Sequence, residues 1–248
     1  FDGGNNYTGP SIPSIEVRYG EKIYDKLPSI DEAGYLLGGW YDQNGNLIDE
    51  NYVAEGPVDL EADLVEGDTY YNVVYYAQNL DGVSYSVAKT VQVPAKTDAD
   101  VTADTTYAIE GFAFDASHSG NVLSGKIPAT GTLVLTVYYK RLSYNYTVKH
   151  WKQNDQGTYD FAEDEVLTDL YGKTVTAVAK DYDGYFLNNA ESGTVLADNS
   201  LVLNVYYDLT PPEEFTVTFY DMGVVQDTVQ VVANGTVPVA DFPAIDGG

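Results

Sequence analysis

The chain holds two histidines, His118 and His150. A hydrolytic or metal-assisted reaction would need them to converge with a nucleophile, an orienting group or further ligands. His118 lies in a run rich in Ser, Gly and Asp, while His150 alternates with Tyr146 and Val148 as a packed strand residue would. Neither neighbourhood supplies the missing partners. Asp98-Ala99-Asp100 and Asp181-Tyr182-Asp183-Gly184 could offer oxygens to a calcium ion. Neither opens a loop with ligands at alternating positions and a closing Glu, so both read as solvated turns. Lys149 and Asn204 stand where a lysine amine could condense with an asparagine amide, but both fall on the outward face of their strands, where the lysine stays hydrated and charged. The absence of cysteine removes thiolate nucleophiles and thiolate metal sites. The expectation is a non-enzyme with no catalytic residues, no metal ligands and no cofactors.

What remains is the chemistry of aromatic rings. Leu133-Val134-Leu135-Thr136-Val137-Tyr138-Tyr139 returns as Leu201-Val202-Leu203-Asn204-Val205-Tyr206-Tyr207. Stretches so rich in Val, Leu and Tyr suit a half-buried pleated surface. Alternation turns Leu133, Leu135, Val137 and Tyr139 inward, with Leu201, Leu203, Val205 and Tyr207 as their counterparts, and leaves Tyr138 and Tyr206 outward. The strands that open the two repeats, at Tyr71 and Tyr146, place Tyr76 and Trp151 on the same outer side. Tyr76, Tyr138, Trp151 and Tyr206 are therefore the candidate ligand-binding residues, since exposed rings on a polar surface suit sugar or protein recognition. Stacking of these rings on one another is the bland alternative.

The elements that position them form a repeat. Between the matched opening and closing strands, Gly82 corresponds to Gly157, Val101-Thr102-Ala103 to Val175-Thr176-Ala177, and Gly111-Phe112 to Gly184-Tyr185. Such ordered self-similarity defines modules at 68–141 and 142–209, the earlier one carrying extra loop between Phe114 and Lys126. Residues 1–67 form a different module. Gly34 to Tyr41 followed by Asn44-Gly45 reads as a strand, a tight turn and a return strand through Leu47 and Ile48, with Trp40 as the central core aromatic. Thr210-Pro211-Pro212-Glu213-Glu214 is a stiff linker. Phe215 to Gly223 then looks like the start of the first module, and Phe242-Pro243-Ala244-Ile245-Asp246 parallels Leu27-Pro28-Ser29-Ile30-Asp31. Residues 210–248 thus read as the linker and first half of a fourth module, which alone would pack poorly.

Two resemblances follow from these motifs. Tyr19-Gly20, Pro28, Gly34-Tyr35, Gly39-Trp40-Tyr41 and Val58-Asp59-Leu60-Glu61-Ala62 resemble the Listeria-Bacteroides repeat, or internalin B-repeat, with a departure at Asp63-Leu64 where that family closes on an aromatic. Tyr146-Thr147-Val148, Asn154 to Gly157, Val175-Thr176-Ala177, Gly184-Tyr185 and the closing Leu-Val-Leu-x-Val-Tyr-Tyr strand are similar to the mucin-binding-protein (MucBP) repeat, more loosely in 68–141. The resemblances imply a mainly β fold of the α+β, β-grasp or ubiquitin-like type, no catalytic residues, and a place on the surface or wall of Gram-positive bacteria. Mucin binding is proposed for some members of that family only, so its name does not imply a function here.

Charge narrows the partners further. With 38 acidic against 12 basic residues the net charge is −26, which repels a phosphate backbone and leaves nucleic acid out. No apolar run reaches the length of a membrane span, so no membrane insertion is expected in this segment, and the ends read as those of a section of a longer, secreted polypeptide. The expected function is a non-catalytic stalk or adhesin segment that spaces or presents binding sites. Its partners would be a host or matrix glycan or protein, or neighbouring copies of itself. A carbohydrate- or mucin-binding module and a self-assembling extracellular fibre subunit are the alternatives. Like-charged small modules on short linkers should lie end to end as an elongated rod, scattering with a radius of gyration near 30 Å against about 18 Å for one globule of this length.

Overall fold

A computed structural model describes residues 1–233, 235 and 237, and the chain divides into two units, Phe1–Ser143 and Tyr144–Gly248. The mainly β expectation holds. The single helical element among the described residues is a 3-10 turn at Tyr24–Lys26, and no helix there is long and apolar enough to cross a membrane.

The first unit opens with β1 (Glu21–Lys22), β2 (Tyr35–Asp42), β3 (Val53–Ala54) and β4 (Leu60–Glu66). β1 pairs with β3 and β2 with β4, both antiparallel. Ile23, Trp40, Ile48, Ala54, Leu60 and Ala62 form the core. Trp40 is 2% exposed, its indole N–H donates to Pro28 O at 3.1 Å, and Phe1 packs edge-on to it at 5.0 Å. The expected return strand is corrected here: past Asn44-Gly45 the chain makes only one bridge, Tyr41 to Leu47, and the strand partner of β2 is β4. Ile48 drops into the core with its N–H on Trp40 O, and Asp49 then turns the chain away by accepting the Asn51 N–H.

The rest of this unit holds β5 (Asp68–Gln78), β6 (Tyr85–Lys96), β7 (Asp100–Thr102), β8 (Phe112–Phe114), β9 (Ser124–Lys126) and β10 (Val134–Arg141). The main sheet runs β6-β5-β10-β8, with β5 and β10 parallel at its centre, while β7 and β9 form a small antiparallel pair. The helix implied by an α+β grasp is absent from residues 97–111. This stretch is studded with Asp and Thr, and side chains such as Asp104, which binds the Thr106 N–H, give the backbone local partners that compete with a helix. The second core gathers Tyr71, Val73, Tyr75, Ile127, Leu135, Val137 and Tyr139.

Only Gly67 separates β4 from β5. Its N–H donates to Gly34 O at 2.9 Å, and the Thr97 N–H donates to Gly67 O at 3.0 Å. Gly34 adopts φ +80°, and a Cβ there would lie 2.7 Å from Ala129 O and 2.9 Å from Thr97 Oγ1. Tyr35 donates its hydroxyl to Asp98 Oδ2 at 2.5 Å, and Lys126 Nζ lies 3.3 Å from Oδ1. These contacts, the phenol first, hold the Asp98 carboxyl below its ordinary range.

The second unit is built on β11 (Ser143–Gln153), β12 (Tyr159–Leu170), β13 (Thr174–Thr176), β14 (Tyr185–Ala190), β15 (Ser192–Thr194) and β16 (Val202–Leu209). Its sheet order, β12-β11-β16-β14, copies that of β6-β5-β10-β8. The register is copied too, since Asn72 faces Val134 where Thr147 faces Val202. The two Tyr-Tyr pairs agree: Tyr139 and Tyr207 are buried, Tyr138 and Tyr206 half-buried. Tyr146, Val148, Val175, Ala177, Val195, Leu203, Val205 and Tyr207 make the core, with His150 fully buried beside them. β17 (Glu214–Asp221) and β18 (Val224–Val232) form an antiparallel hairpin on which Phe215 is 54% and Tyr220 66% exposed. Phe242 to Asp246, the motif expected to continue a fourth module, lies outside the described residues.

Candidate ligand-binding faces

Each repeat presents its outer sheet face through the parallel pair at its centre, because side chains opposite one another in register share a face. Tyr76 stands opposite Tyr138, and Trp151 opposite Tyr206. In the first unit Tyr76 and Tyr138 stack at 4.7 Å with an interplanar angle of 10°. Two rings that sequence reasoning missed join them. His118 stacks on Tyr138 at 3.8 Å, and Tyr85 meets Tyr138 edge-on at 5.1 Å. His118 arrives on the extra loop, where Asp115 binds Ser117 and where the Gly120 N–H donates to His118 Nδ1 at 3.1 Å. A Cβ at Gly120 would sit 2.8 Å from Tyr138 Cε2, so the loop lies flat on the ring. The four rings are half-buried by one another.

In the second unit the corresponding residues are spread apart. Trp151 meets the exposed Phe161 edge-on at 5.6 Å and donates its indole N–H to Asn204 Oδ1 at 2.9 Å. Glu191 Oε2 accepts both the backbone and side-chain N–H groups of Asn204, at 2.7 and 2.9 Å. Lys149 is the register partner of Asn204, yet the amide is already engaged through its oxygen and its nitrogen. Tyr206 meets Tyr159 edge-on at 5.0 Å, repeating the Tyr138–Tyr85 pair. Tyr159 donates its hydroxyl to Asp208 Oδ1 at 2.5 Å, and Asn188 Nδ2 donates to both Asp208 oxygens at 2.9 and 2.8 Å. The phenol and then the amide hold the Asp208 carboxyl below its ordinary range.

Tyr85 and Tyr159 were legible in principle, since each opens the strand after the Asn-x-x-Gly turn. Asn188 was not, because it is the extra residue of a bulge between Leu187 and Asn189.

His150 belongs to the core rather than to either face. The Lys180 N–H donates to the Tyr207 hydroxyl oxygen at 2.7 Å, and the same hydroxyl lies 2.9 Å from His150 Nδ1. His150 Nε2 faces Glu165 Oε1 at 3.4 Å, and because a carboxylate only accepts, this ring nitrogen is the donor of that pair. The chain of donors satisfies every polar atom of the ring, as burial requires. No cluster of three or more His, Cys, Asp or Glu with metal-binding geometry occurs among the described residues.

No family model matches the chain, and no curated protein matches it. Solved structures similar to it include the crystal structure of Mub-RV, at 15% identity over 58% of this chain and all of that one, with a TM-score of 0.22. A type 2 repeat of the mucus binding protein MUB from Lactobacillus reuteri is similar at 14% identity over 57% of this chain and all of that one, with a TM-score of 0.21. The Bacillus anthracis TIE protein is similar at 11% identity over 84% of this chain and 59% of that one, with a TM-score of 0.33. Likenesses this distant do not decide what the chain does.

Proposed function

We propose that this chain is a non-catalytic repeat segment of a bacterial surface protein, built from a B-repeat-like module at 1–67, MucBP-like modules at 68–141 and 142–209, and the linker and opening of another B-repeat-like module at 210–248. The observation that carries the reading is the copied register of β5/β10 and β11/β16, which sets the same outward positions on both repeats. Repeated weak sites on one polypeptide gain avidity, and a row of modules also sets the distance of whatever lies beyond them. The test is to display a surface protein with and without residues 1–209 on a bacterium and to measure adhesion to mucin-coated and matrix-coated surfaces. Adhesion should fall when the segment is removed. Equal adhesion on every surface would sink the reading.

A second reading, carbohydrate binding, is favoured by the spread aromatic face of the second unit, where Trp151, Phe161, Tyr159 and Tyr206 meet edge-on rather than in one closed stack. Its test is a glycan array probed with the whole chain. Binding should weaken in Trp151→Ala and Tyr206→Ala.

A further inference from the structure

We infer that Asn188, Asp208 and the paired rings of Tyr159 and Tyr206 form a subsite for a neutral pyranose, held through two neighbouring hydroxyls. This deepens the carbohydrate reading above and rests on it.

The inference comes from counting donors and acceptors. The Asp208 carboxylate can accept only, so the end of Asn188 that faces it must be the NH2 end, which fixes the orientation of the amide. Asp208 Oδ1 accepts from Tyr159 and Asn188, whereas Oδ2 accepts from Asn188 alone. The Tyr159 hydroxyl donates to Asp208 and accepts from Asn188 Nδ2 at 2.9 Å. The two N–H groups of Asn188 are shared among three acceptors, so every donor in the cluster is used within it. Capacity is left on the acceptor side: one oxygen of Asp208, and Asn188 Oδ1, which receives no donor among the described residues. A complementary ligand must bring donors and no negative charge. Adjacent hydroxyls on a sugar ring are such a pair, and the C–H face of that ring suits the face of one of the two rings of Tyr206 and Tyr159, which meet edge-on at 5.0 Å beside the acceptors. An acidic sugar would meet both Asp208 and the −26 charge of the chain.

The backbone supports this assignment independently. Asn188 is the unpaired residue of the β14 bulge, a device that re-aims one side chain out of a ladder. The first unit acts as an internal control. There the strand position equivalent to Asp208, one residue past Tyr139 as Asp208 is past Tyr207, is Lys140, and its partner on β8 is Ala113 in a pairing without a bulge. The acceptor pair exists only in the later repeat.

The experiment is an NMR titration of the whole chain with methyl β-D-galactopyranoside and methyl α-D-mannopyranoside, with N-acetylneuraminic acid as the anionic comparison. The neutral glycosides should shift the amide signals of Asn188, Tyr206 and Asp208, and the acidic sugar should not. Asp208→Ala should weaken the neutral binding about tenfold, the loss that goes with removal of a charged acceptor. Asp208→Lys, which installs the residue that the other repeat carries at this place, should do the same with the fold retained. Binding that shifts only Trp151 or Tyr76 and survives both variants would overturn the subsite and leave the carbohydrate reading standing. An absence of shifts with every sugar, together with a blank glycan array, would remove both. Stronger binding of N-acetylneuraminic acid than of the neutral glycosides would overturn the ligand class.

Discussion

Trp40 has both ends committed, its ring in the core under Phe1 and its N–H on Pro28 O. Trp40→Ala should cost about 3–5 kcal/mol, enough to unfold a module with so small a core. Denaturant melts of the variant and parent check this, and coincident midpoints would place the indole outside the core. Tyr139 makes a pH prediction. Burial, first, and neighbouring Tyr75 and Asp104 push its phenol up from 10.0 to about 12. The folded value lies above the unfolded one, so the stabilisation is complete below pH 10.0 and is lost as pH climbs through about 12. Phenolate absorbance and circular dichroism followed together should show Tyr139 ionising with the loss of its module, and ionisation in an intact fold would contradict the burial. Both residues were legible because strand alternation, and a Trp directly after Gly38-Gly39 and ahead of the Asn44-Gly45 turn, speak through local spacing. His118 and Asn188 were not, since a long loop and a bulge decide where they go, and neither leaves a periodic trace.

At the scale of elements, the strands and their repeat were readable because period-two alternation survives without knowledge of partners. Partners themselves were less readable. The Asn44-Gly45 turn forms, yet its return segment breaks after one bridge, because burial of Ile48 and the Asp49 turn win over continued pairing. The joint between β4 and β5 left no signal beyond two glycines. Gly34→Ala would put a methyl against Ala129 O in a backbone conformation that alanine adopts only with strain. Melts should show a loss of about 1–3 kcal/mol felt by both cores of the first unit. A loss confined to the first core would mean that the joint does not couple them. The Asp98 carboxyl, held low by Tyr35 and then by Lys126, adds an acid limb: its contribution is present above the ordinary carboxylate range and disappears as pH falls through the lowered folded value. Tyr35→Phe should flatten that limb.

For the whole chain the governing number is the charge of −26. Ion pairs such as Lys96–Asp68 are solvent-exposed and contribute little, so general repulsion dominates the electrostatics. Raising salt from about 10 mM to 150 mM shortens the screening length from roughly 30 Å to 8 Å and should raise the thermal midpoint. A midpoint that falls would show that specific pairs outweigh repulsion. Composition made this behaviour readable without any structure, whereas no residue pattern announced a specific ligand.

The parallel pairing of the first and last strands of a repeat has a mechanical consequence. The chain enters the second core at the start of β5 and leaves it at the end of β10, and these strands lie side by side from Asn72 opposite Val134 to Ala77 opposite Tyr139. Tension along the polypeptide therefore drags them past each other and loads every cross-strand hydrogen bond at once, whereas a hairpin pulled at its open end yields one bond at a time. Single-molecule pulling through Asn72 and Tyr139 should require a higher rupture force than pulling through Asn72 and Val134, which sit at the same end of the ladder. Equal forces in the two geometries would mean that the ladder is not what resists. Each repeat is thus a shear lock set in line with the chain, strongest along the direction in which the polypeptide itself would be pulled.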